Sequence, residues 1–167
     1  MFLVFDIESI GLHGEAFAVG YVLVDREGRE LESGIFACPR EQARGQESQR
    51  PWVEEHVPRL PLTHSNPRGV RDAFWALWME MKGRGAQLVS EISWPVQTNF
   101  LSACVQDLPA QREKESEMLL YDLSTARLVR GLGSADKEER LPDELPQHNP
   151  LADARQTARL FVAALKR

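Results

Sequence analysis

The opening stretch, Met1-Phe2-Leu3-Val4-Phe5-Asp6-Ile7-Glu8-Ser9, constrains the fold more than any other part of the chain. A near-continuous Val/Leu/Phe run predicts a strand buried on both faces, which needs layers of structure above and below it. Two acids interrupt that run at its end. Side chains alternate faces along a strand, so Asp6 and Glu8 point one way while Phe5 and Ile7 point the other. Two like charges taken out of water at that spacing call for a cation between them. A strand that simply ends at the surface with two solvated acids is the other arrangement the pair allows.

The rest of the chain supplies the layers. Ser9-Ile10-Gly11-Leu12-His13-Gly14 reads as a loop, followed by a strand over 16–24, a turn at Asp25-Arg26-Glu27-Gly28-Arg29 and a third strand over 30–38. Residues 39–67 form a long polar, proline-rich connection, in which Trp52, Val53 and Val57 would anchor a short helix; connections this long are functional covers or lack order. From Gly69 the period lengthens. Val70, Phe74, Leu77, Trp78 and Met81 share a helical face, and Gly83 and Gly85 stop the helix. Ala86 to Ile92 predicts a strand, and Pro95 opens a helix whose buried face is Val96, Phe100, Ala103 and Cys104. Met118 to Asp122 reads as a strand, Leu123 to Val129 as a helix and 131–147 as a charged loop. The last helix starts legibly, with Asn149 as N-cap and Pro150 in the first helical position, and carries Leu151, Ala154, Ala158, Phe161 and Leu165 as its buried stripe. His148 then precedes the cap, and Asp153 lies in the first turn, where helix-dipole compensation alone would account for it.

Length and charge narrow the function. A chain of 167 residues fits one domain with a full core. A net charge of −5 means that nucleic acid would have to be held by a local basic surface or by bound cations. Cys38 and Cys104 lie far apart in apolar surroundings and predict core packing in a reducing compartment. No stretch reaches membrane-spanning length, and the opening is too short and too soon acidic for a signal peptide, so a cytoplasmic location is expected.

The two ends of the chain gain meaning together. Phe5-Asp6-Ile7-Glu8-Ser9-Ile10-Gly11-Leu12 and His148-Asn149-Pro150-Leu151-Ala152-Asp153-Ala154 resemble the first and last motifs of the DEDDh 3′-to-5′ exonucleases, a group within the ribonuclease H-like superfamily. The resemblance runs along the whole chain and implies an α/β fold: a five-stranded mixed sheet, order 3-2-1-4-5, with one antiparallel strand and flanking helices. It also implies two-metal phosphodiester hydrolysis at the 3′ end of RNA or DNA. Asp6 would bridge two Mg²⁺ or Mn²⁺ ions roughly 3.5–4 Å apart, Glu8 and Asp153 would complete the ligand set, and His148 would take the proton from the attacking water. The backbone of Ser9, Gly11 and Leu12 would meet the terminal nucleotide, with no room for a side chain at Gly11. Relatives of this kind often pair, which makes a homodimer one of the states to look for.

The middle motif departs from the family pattern. Aligning on Phe100-Leu101 puts Gln97 where the family has an Asp, leaving three carboxylates, with Glu91 as a substitute ligand. Three function classes follow: an active metal-dependent exonuclease, a nucleic-acid-binding or regulatory module on the same fold, and a metal-dependent phosphohydrolase of small nucleotides. Arg155 and Arg159, four apart on the last helix, would hold a phosphate backbone together with Arg127 and Arg130. Of the four tryptophans, Trp94 is the candidate for base stacking. His13 would touch the substrate or stand idle, and His56 and His64 read as isolated.

Overall fold

The computed structural model describes residues 1–117 and 119–166. Its core is a five-stranded sheet in the order β3-β2-β1-β4-β5, built from β1 (Phe2–Ser9), β2 (Ala16–Val24), β3 (Glu30–Ala37), β4 (Gln87–Ser90) and β5 (Leu120–Asp122). β2 runs antiparallel to both β1 and β3, whereas β1, β4 and β5 are mutually parallel. The sheet is therefore mixed and open, flanked by helices, as the order of strand and helix signals predicts.

Alternation along β1 divides the core in two. Leu3, Phe5 and Ile7 pack with Phe74, Trp78 and Phe100 from α2 (Pro67–Gly83) and α3 (Val96–Asp107). Phe2 and Val4 face the other way, onto Ala154, Ala158 and Phe161 of α6 (Pro150–Lys166). Asp6 and Glu8 continue that second face beyond the point where α6 begins. The strand that cannot be exposed on either side thus delivers its acids to a gap at the end of one helix.

Gly20 makes that geometry possible. It lies opposite Asp6 in the β1–β2 register. A Cβ there would fall 2.2 Å from Leu151 N and from Pro150 C, so the first turn of α6 rests directly on the strand backbone. An isolated glycine inside a strand pattern marks this kind of close approach.

The connection over 39–67 is folded. Two 3₁₀ turns, at Arg40–Gln42 and Glu47–Gln49, precede α1 (Arg50–His56), and Ala43, Val53 and Val57 are buried. Arg40 ties it down by donating to the carbonyls of Val53, Val57 and Pro58. Other boundaries shift by a few residues. α2 starts at Pro67 because Asn66 Oδ1 accepts from Gly69 N at 3.0 Å, and β4 is shorter than the apolar run around it. A polar helix unannounced by any apolar period, α4 (Pro109–Glu115), follows α3 and is held by Arg112, which bonds Cys104 O and Asp72. The Met118 end of the expected fifth strand lies outside the described residues, and α5 (Leu123–Val129) follows β5 directly. Leu165, expected in the buried stripe of α6, is exposed. Cys38 and Cys104 are free and buried. Among the described residues, no helix is long and apolar enough to cross a membrane.

Candidate metal centre

The two ends of the chain meet. Asp6, Glu8, Glu91, Gln97, His148 and Asp153 all line one cavity of about 400 Å³ at the carboxyl ends of β1 and β4. In open α/β sheets this edge is where ligands bind. Glu8, His148 and Asp153 each offer a ligand atom, and the three atoms lie within 4.8 Å of one another. Asp6 stands beside this compact group, engaged by Gln97, whose Nε2 donates to Asp6 Oδ1 at 3.2 Å.

Local structure fixes the late pair. Asn149 Oδ1 caps α6 by accepting from Leu151 N (3.1 Å) and more weakly from Ala152 N (3.5 Å). His148 has φ 62, a left-handed backbone that costs a non-glycine residue about 1–3 kcal/mol and clusters at functional sites. It is held by a bond from its own N–H to Asp153 Oδ2 at 3.0 Å. Asp153 thereby sets the turn that aims His148.

The electrostatics are those of an acid pocket. Burial pushes the Asp6 carboxyl well above the ordinary Asp range, and the charges of Asp153 and Glu91 push it further. Glu8 is raised in the same way by burial, then by Asp6 and Asp153, against an opposing pull from Arg40. Burial also raises Glu91 and Asp153. His148 is lowered by burial against the opposing pull of Asp153, so its imidazole is neutral at pH 7.

Two groups that spacing along the chain did not point to complete the site. Arg140 donates from Nη1 to Asp153 Oδ1 (2.5 Å) and to Glu144 O (2.8 Å). Nothing local in the stretch 131–147 distinguishes this arginine from its charged neighbours. His56 is not isolated: its ring stacks on Trp52 (4.6 Å, 9°), and both meet the His148 ring edge-on, at 6.3 Å from His56 and 5.0 Å from Trp52. Their shared 52/56 helical spacing places them on one face of α1, the only sequence signal for the pairing.

The remaining candidates separate. Leu12 and Trp94 line the cavity and are 65% and 68% exposed, a pair of apolar groups at its rim. Trp94 lies edge-on to His13. Ser9 faces a neighbouring cavity with His13 and Arg44. Gly11 is required by its φ of 79 in the turn after β1, where Gly14 N donates to Gly11 O; a Cβ there would meet only the Gln49 side chain. Arg155 is not brought to the site. It pairs with Glu30 (2.9 and 3.0 Å) and Ser33 on the β3 side. Arg159 pairs with Glu144, and Arg127 with Glu138, so three of the four arginines expected to hold a phosphate backbone, all but Arg130, are spent on internal ion pairs.

The donor set fits a hard divalent cation: carboxylate oxygens and one imidazole, close together, with raised carboxyl pKa values that a cation would reverse. Searches against models of known families and against curated proteins find no match for the chain.

Proposed function

We propose that this chain is a metal-dependent 3′-to-5′ exonuclease with a ribonuclease H-like fold. The observation that carries the reading is the convergence of Asp6 and Glu8 from β1 with His148 and Asp153 from the start of α6 on one cavity. Asp6, Glu8 and Asp153 would hold Mg²⁺ or Mn²⁺, which supplies an activated water and stabilises negative charge on the phosphate. His148, neutral and aimed by Asp153, takes the proton of the attacking water. Trp94 and Leu12 offer the terminal base an apolar rim, and aromatic stacking of this kind is worth about 1–3 kcal/mol per base. A strand labelled at its 3′ or its 5′ end, incubated with Mn²⁺ and then with EDTA, tests this. Stepwise shortening from the 3′ end that EDTA stops is the expected result.

A second reading has its own support. Gln97 donates an amide N–H to Asp6, and Arg140 donates to Asp153, so two of the three inner carboxylates already have a protein donor. A nucleic-acid-binding module on the same fold would show strand binding, with or without Mn²⁺, and no shortening.

A further inference from the structure

Asp153 spends both its oxygens within the protein, Oδ2 on His148 N and Oδ1 on Arg140. The Arg140 guanidinium is itself fixed. Its second bond runs to the carbonyl of Glu144, a residue only 2% exposed whose carboxylate holds Arg159 and accepts from Leu141 N (2.9 Å). The cation therefore sits in the cavity wall by construction, on a loop clamped from behind. It lines the same cavity as Glu91 and His148, and its bond within that cavity falls on Asp153. Of the three groups that converge within 4.8 Å, Asp153 is the one that Arg140 bonds, and Glu8 has no guanidinium bonded to it among the described residues.

We propose, resting on the exonuclease reading, that Arg140 takes the place of one of the two cations, so that the centre binds a single divalent ion beside Glu8 and Asp153. One divalent ion and one guanidinium bring three positive charges to the three inner carboxylates, Asp6, Glu8 and Asp153. Gln97 fits the same account, because an uncharged amide on Asp6 suffices where no second ion has to be held. Among the described residues, Nε and Nη2 of Arg140 donate to nothing, which leaves N–H groups free to meet a phosphate oxygen in the cavity. Charge-assisted bonds from a guanidinium to phosphate are of the strong kind. The substrate's phosphate would then be gripped from one side by the ion and from the other by Arg140.

Counting bound Mn²⁺ by calorimetry and by electron paramagnetic resonance on the intact chain tests this without any turnover. The wild type is expected to bind one ion, Arg140→Lys one, and Arg140→Gln, folded by circular dichroism, two. Two ions in the wild type, or one in folded Arg140→Gln, overturn the inference and leave the exonuclease reading standing. No ion in any of the three overturns that reading and the inference with it. A second measurement needs no variant: during Mg²⁺ titration of the ¹⁵N-labelled wild type, the Arg140 side-chain N–H signals should persist in slow exchange to saturation. Their loss as the ion binds would mean that the cation displaces Arg140, and would refute the proposal.

Discussion

Replacing Glu8 by Gln should make the metal-free protein more stable. The Glu8 carboxylate accepts no hydrogen bond from any described residue, so the change breaks none, and it removes a charge that lies within 4.8 Å of Asp153. At that separation and an effective dielectric of about 20, two unit charges repel by about 3.5 kcal/mol. Arg140 on Asp153 and the field of Arg40 on Glu8 offset part of it, leaving about 1–3 kcal/mol. For a chain of this size that is a rise in Tm of about 2–12 °C. The assay is thermal denaturation in EDTA at pH 7.5, repeated with Mn²⁺. Wild type should gain stability from the ion and Glu8→Gln should gain little, reversing their order. The pH dependence gives a second handle. Asp6, Glu8, Glu91 and Asp153 all titrate higher when folded, so between about pH 4 and their folded values the native state binds more protons than the unfolded one. These four groups make stability in EDTA fall as pH rises above about 4, less steeply in Glu8→Gln, while the lowered His148 imidazole contributes the opposite slope as pH rises towards about 6.5 and does so alike in both proteins. The lowered carboxyls, Glu30 and Glu144 among them, lose their contribution only below about pH 4 and do not mask the trend. A Glu8→Gln protein that melts at or below the wild type in EDTA would refute the charge-repulsion argument.

His148→Ala should slow turnover by about 10²–10⁴-fold, with the Mn²⁺ count unchanged, as measured by single-turnover kinetics beside calorimetry. Gln97→Asp places a carboxylate against Asp6; it should lower Tm in EDTA and tighten Mn²⁺ binding, and a variant that does neither would mean that position 97 does not face the ion. Trp94→Ala should weaken single-strand binding by about 1–3 kcal/mol in fluorescence anisotropy while leaving Tm within a degree or two. Gly20→Ala should cost about 1–3 kcal/mol by overpacking, and should lower metal affinity as well, because the clash falls on the turn that carries Asp153. An alanine variant that binds Mn²⁺ as the wild type does would show that the turn yields without moving the site.

What was legible in the sequence was whatever local periodicity encodes. The buried run of β1, the 16–24 strand and the Asn149-Pro150 cap read correctly because burial pattern and capping chemistry are properties of neighbours in the chain. The convergence of Asp6, Glu8, Gln97, His148 and Asp153 followed from a resemblance in motif order, and the cavity brings all five together. What stayed hidden depends on tertiary contact. Arg140 looks like any surface charge until Asp153 is beside it, and Arg155 looks available until Glu30 claims it. α4 carries no apolar stripe, being fixed by the buried guanidinium of Arg112. Gly20 had a local signal, a lone glycine within a run of strand formers, whose meaning needs the helix that lies on it.

The seat of α6 on Gly20 has a mechanical consequence. Two groups of the centre belong to the sheet layer and two to the leading turn of the helix layer, so the centre spans the seam between them. Any slippage along that seam changes the gap between opposing ligands before a single strand is unzipped. Ion release should accordingly report helix-to-sheet slippage earlier in a denaturant series than circular dichroism does, and a bound ion would act as a rivet across the two layers.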